Sequence, residues 1–139
     1  MGAVGRAFEL AFALHEGQTD KAGEIYLAHL VRVAARLEDE AGRVVALLHD
    51  AVEDQGASLG DIRAAFGEEV AAAVDAITRR EGERPEAYYA RVAANPLARR
   101  VKLADLADNS DPRRLASLDE ATAARLIEKY ERARHALGA

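Results

Sequence analysis

The run Val44-Val45-Ala46-Leu47-Leu48 admits few placements in a folded chain. Five consecutive apolar residues leave a helix no polar face, so the segment must be buried on all sides. It continues directly into His49-Asp50-Ala51-Val52-Glu53-Asp54. A helix over 40–54 places residues four apart on one face, stacking His49 with Glu53 and Asp50 with Asp54. Burying an ionised carboxylate in such a segment is costly unless it is paired or binds a metal. No Lys or Arg lies between Val44 and Asp54. A metal is the simplest local partner.

At 139 residues the chain reads as one domain, 1–139, large enough to bury a core. Half its residues are apolar, only three Pro and ten Gly interrupt them, and β-type alternation is scarce, which predicts an all-α fold. The net charge of −5 argues against binding nucleic-acid polymers, which takes a basic face. It leaves room for a small phosphorylated ligand held by a local basic cluster. The absence of cysteine excludes disulfides and thiolate metal sites. No signal-type segment and no apolar run near ~18 residues is present, so the expectation is a cytoplasmic protein without membrane contact.

Apolar spacing and capping residues predict roughly eight helices, at 3–16, 24–38, 40–54, 58–66, 68–78, 85–94, 96–108 and 119–137. The first carries Val4, Phe8, Leu10, Ala11, Phe12 and Leu14 on one broad apolar face. Between the first two, Gln18 to Gly23 is a short polar loop able to approach a ligand closely. Ser58, Asn95 and Asp119 are N-cap residues, and Pro85 and Pro96 fit first helical positions. Asp111-Pro112 reads as a turn. An Ala/Leu-rich last helix, if exposed, suits a homodimer contact.

Four polar residues stand out: His29 on the second helix, His49 and Asp50 on the third, and Asp105 among the core positions Leu97, Val101, Ala104 and Leu106 of the seventh. This mixed N/O set suits a divalent first-row ion such as manganese, iron or zinc, and lacks the sulfur of a closed structural zinc site. Four protein ligands on an octahedral ion leave positions for substrate and for a water of lowered pKa, a ready nucleophile. Glu53 and Asp54 could orient or deprotonate that water or relay a proton. Plainer readings stand beside these: a hydrogen-bonded core histidine at 29, ordinary helix-end acids at 53 and 54, an exposed Asp105, a snorkelling surface lysine at 102. His15 and His135, with no second ligand nearby, read as surface or capping residues.

The pattern His29, His49-Asp50 with Val52-Glu53-Asp54, and Val101-Lys102-Leu103-Ala104-Asp105 with Asn109 resembles the HD-domain metal-dependent phosphohydrolases. More narrowly it resembles the hydrolase domain of the RelA/SpoT-type guanosine tetraphosphate enzymes and their small stand-alone relatives. His15-Glu16-Gly17-Gln18, Asp20-Lys21-Ala22-Gly23, Tyr26-Leu27-Ala28-His29 and Phe66-Gly67-Glu68-Glu69-Val70 follow the same family pattern.

The resemblance implies an HD helical bundle around one metal. Its ligands would be His29, His49, Asp50 and Asp105, with Mn2+ expected and Fe2+, Zn2+ or Mg2+ as alternatives. Glu53 and Asp54 would be the catalytic acids, and Gln18, Lys21, Lys102 and Asn109 would hold the nucleotide and its phosphates. The implied activity is 3′-pyrophosphohydrolysis of (p)ppGpp, without synthetase activity, since no room for that domain follows the match. The alternatives are an HD hydrolase for another nucleotide or phosphoester, and a non-catalytic nucleotide-binding module. Ile25 and Leu30 stand where relatives commonly have Pro, and the Gly17–Gly23 loop carries fewer cations than tetraphosphate hydrolases usually show.

Overall fold

A computed structural model describes residues 2–52 and 56–139. Nine helices lie among them: α1 Ala3–Leu14, α2 Tyr26–Ala35, α3 Glu40–Leu48, α4 Leu59–Phe66, α5 Glu68–Ile77, α6 Pro85–Ala93, α7 Pro96–Asn109, α8 Pro112–Leu115 and α9 Glu120–Ala136. Among the described residues there is no strand, only an isolated bridge between Thr19 and Ile25. The fold is all-α, and among the described residues no helix is long and apolar enough to cross a membrane.

α3 is the central element, packed by α1, α2, α5 and α7. Val44 through Leu48 are all buried, as an apolar run with no polar face requires. Its start is set by Asp39, whose carboxylate accepts from the Gly42 amide at 3.3 Å. A Cβ at Gly42 would meet that carboxylate at 2.7 Å and the Leu37 side chain at 3.1 Å, so a larger residue there would push the capping side chain aside. The helix stops at Leu48, with His49 still αR as its cap; His49 and Asp50 form a turn before helix resumes at Ala51 and Val52. The expected stacking of His49 and Asp50 on Glu53 and Asp54 falls on residues outside those described.

α7 is the second organiser, in contact with α2, α3, α5, α6 and α9. Asn95 caps it, accepting from the Ala98 amide at 3.0 Å, and Pro96 occupies its first turn. Ser58 and Asp119 cap α4 and α9 as their sequences predict. Gly67, at φ +95°, makes the sharp break between α4 and α5.

Two expectations are corrected. On α1 the core contacts are Ala7 and Ala11, while Phe8 and Phe12 are 41% and 52% exposed. Small residues face α3 at this crossing, and the phenyl rings turn outward. The predicted turn at Asp111-Pro112 instead opens α8, with the Asp111 carboxylate accepting from the Arg113 amide at 2.8 Å.

Candidate metal centre

α2, the C-terminal cap of α3, and α7 each deliver one group to a common point. Nε2 of His29 lies 2.8 Å from Asp105 Oδ1, and Nε2 of His49 lies 3.3 Å from the same oxygen. One ligand atom from each of these three buried residues falls within 4.8 Å of the others. The far side of each ring is fixed. His29 Nδ1 donates to Asp108 Oδ2 at 2.6 Å, and His49 Nδ1 donates to the Ala46 carbonyl at 2.6 Å. Those partners can only accept, so both Nδ1 atoms carry hydrogen, and each Nε2 either donates to Asp105 Oδ1 as part of an imidazolium or presents a lone pair to a metal. Either way the arrangement calls for positive charge at this point, from a proton or from a metal ion. A divalent cation meets that demand with all three atoms as ligands, so the donor set fits a metal.

The local electrostatics agree. Burial alone would raise Asp105, but the charge of Lys102 and the hydrogen bonds from His29 and His49 hold its carboxyl well below the usual range. Burial likewise opposes the charge of Lys102, yet Asp105, 3.1 Å from its ammonium, holds it above the ordinary lysine value. His29 is pushed up, because its bonds to Asp105 and Asp108 outweigh the cost of burial. Asp108, buried but bonded to His29 and Arg32, falls to about 2.

Asp50 adjoins the set without joining the tight group. Its Oδ2 lies 3.4 Å from His49 Nε2 and accepts from the Tyr26 hydroxyl. Glu53 and Asp54 lie outside the described residues. Gln18, Lys21, Lys102 and Asn109 line a cleft of about 390 Å³ with His29, Asp50 and Asp105. Asn109 Nδ2 donates to Asp105 at 3.4 Å, and Lys102 spends its charge on the same carboxylate.

Several groups at the site were not singled out from the sequence. Asp108 is 1% exposed and orients His29. Its position one turn after Ala104 (i+4), a core residue, was the available signal. Tyr26 was read only as part of the family pattern. Arg79, Tyr88, Tyr89, Lys129 and Tyr130 line the rest of the cleft. Partial burial, then repulsion from Arg79, Lys21, Lys102 and Arg125, keeps the Lys129 ammonium below its ordinary value. His15 is a correction: it is 1% exposed, with Nδ1 2.8 Å from Gln18 Oε1 and its ring against Tyr26, inside the fold that shapes the loop. His135 is exposed, as expected.

Two imidazoles and a carboxylate converging inside an all-helical frame define a helical domain with a His/Asp divalent-metal site. Residues 7–115 match the HD domain family, and the chain belongs to it. It is 46% identical over 78 residues to a Synechocystis protein named a probable guanosine-3′,5′-bis(diphosphate) 3′-pyrophosphohydrolase, covering 53% of this chain and 10% of that one. A Streptomyces coelicolor protein named GTP pyrophosphokinase is 33% identical over 150 residues, covering 97% of this chain and 18% of its own. The chain thus spans less than a fifth of either curated relative. A solved structure, described as a metazoan ortholog of SpoT that hydrolyzes ppGpp, superposes with a TM-score of 0.81 at 25% identity, over 99% of this chain and 86% of that one.

Proposed function

We propose that this chain is a metal-dependent phosphohydrolase that removes pyrophosphate from the 3′ side of a (p)ppGpp-like nucleotide. The observation that carries this reading is the convergence of His29 Nε2, His49 Nε2 and Asp105 Oδ1 at a cleft whose other wall is cationic and tyrosine-rich. The activity for which the relatives are named suggests the substrate class. In this reading His29, His49, Asp50 and Asp105 hold a divalent ion, Mn2+ by family resemblance. When bound, that ion supplies a Lewis acid and a water of lowered pKa.

The chain's own residues do the rest. Asp108 and the Ala46 carbonyl hold the two imidazoles in the Nδ1–H form, leaving Nε2 free to ligate. Lys102 neutralises Asp105 and brings a cation to the floor of the cleft. Glu53 and Asp54 take the proton from the attacking water. The water oxygen bonds to the phosphorus that carries the 3′ oxygen, and the bond from that phosphorus to O3′ breaks. The 3′ oxygen leaves as a hydroxyl, giving pyrophosphate and a nucleoside 5′-diphosphate. Lys21, Lys129 and Arg79 are placed to offset charge on the phosphoryl oxygens, and Gln18 and Asn109 to hold the nucleotide.

Incubation of Mn2+-loaded protein with ppGpp tests this. Release of pyrophosphate with formation of GDP is the expected result. Hydrolysis confined to other members of a nucleotide panel would keep the chemistry and overturn the substrate.

A further inference from the structure

The geometry points to Arg114 as a positioning residue that ties the cleft loop to the metal centre, so that ligand binding at the loop and metal binding at His29 are coupled. The inference rests on the metal-site reading above. Arg114 comes from α8, the short helix the sequence had suggested was a turn. Its Nη2 donates to Asp20 Oδ2 at 2.6 Å, across ninety-four positions of sequence. Its Nη1 donates to Asp108 Oδ2 at 3.0 Å and to Asn109 Oδ1 at 2.9 Å. That Nη1 also lies 3.1 Å from His29 Nδ1, both nitrogens being directed at the same Asp108 oxygen.

Each end of this strut does something specific. At the outer end, Asp20 Oδ1 accepts from the Ala22 and Glu24 amides, both at 2.9 Å, and so folds the turn that carries Lys21. At the inner end, Asp108 fixes the tautomer and orientation of His29. The side chains of Arg114, Asp20 and Asp108 are 16%, 8% and 2% exposed, so the path is largely shielded from screening by solvent. None of the three supplies an atom to the converging His29, His49 and Asp105 set.

Arginine is the residue this task needs. Its planar fork addresses acceptors on two segments at once, whereas a lysine ammonium is a single point. Asp108 also accepts from Arg32 Nε at 2.9 Å, so changing Arg114 leaves that buried carboxylate with a cation. The change therefore removes geometry more than charge compensation. A link of this kind is reciprocal: whatever orders the loop tightens the metal, and the reverse.

The test is the Mn2+ affinity of chelator-stripped protein, read from the electron paramagnetic resonance signal of free Mn2+, with KM for ppGpp measured at saturating Mn2+. Asp108→Asn calibrates the scale and should weaken Mn2+ binding by about 10- to 100-fold, as loss of a ligand-orienting partner does. Arg114→Lys should weaken it less and also raise KM. Asp20→Asn, at the far end of the strut, should raise KM and still weaken Mn2+ binding a few-fold. Far-UV circular dichroism checks folding, and should Arg114→Lys not fold, Asp20→Asn decides alone. Wild-type Mn2+ affinity in either folded variant overturns the coupling. A wild-type protein that binds no Mn2+ is a different failure, that of the metal-site reading itself.

Discussion

The two walls of the cleft are built on opposite terms. The inner wall, His29, His49, Asp105 and Asp108, is buried, and each charge there faces an opposite charge or a fixed donor. The outer wall draws Lys21, Arg79 and Lys129 from loops and the last helix, all exposed and of one sign. Lys129 is held below its ordinary value by partial burial and by those neighbouring cations. The inner wall is therefore set for a cation before any ligand arrives. The outer wall gathers cations close enough to act on one another.

The sharpest test of this contrast is at the two acids of the Val52-Glu53-Asp54 motif. Asp54→Asn should lower kcat by about 10²- to 10⁴-fold, the usual worth of a positioned proton acceptor, with Mn2+ affinity retained. Loss of metal together with turnover would make Asp54 a ligand instead. Next comes Lys102→Met, which leaves Asp105 buried without its neighbouring ammonium. Breaking such a pair costs about 3 kcal/mol. Urea melts should show that loss in chelated protein and a smaller one at saturating Mn2+, where the ion takes over the neutralisation.

On the outer wall, Lys129→Met should raise KM for a tetraphosphate substrate by about fivefold, the worth of one solvent-screened charge contact near 1 kcal/mol. Metal affinity and kcat should hold. A large kcat effect would erase the distinction between the walls. The smallest effect is expected at Asn95→Ala, which removes the cap from the helix that carries Lys102, Asp105 and Asp108. About 1 kcal/mol of stability should go, read from the same urea melts.

How much of this was legible in the sequence follows from how local each signal is. The burial of Val44 to Leu48, the caps at Ser58, Asn95 and Asp119, and Asp105 among core residues are all written within one or two turns of chain. The partners that finish the site are not. Asp108 meets His29 across seventy-nine positions, and on its own helix it looks like any charged residue. His15 is buried because Gln18 and Tyr26 fold back over it, a consequence of the loop rather than of α1. Phe8 and Phe12 were assigned to the core on hydrophobicity, but the α1–α3 crossing took Ala7 and Ala11 instead. Arg114 reaches Asp20 across ninety-four positions, a pairing that no local pattern announces.

The central claim is that one divalent ion at His29, His49 and Asp105 is what makes this cleft hydrolytic. Elemental analysis of untagged protein purified without chelator, beside His49→Ala, with pyrophosphate release from ppGpp assayed on the same samples, tests it directly. The account predicts one equivalent of metal in the wild type, and loss of both metal and hydrolysis in the variant. Hydrolysis that persists in metal-free protein would contradict it.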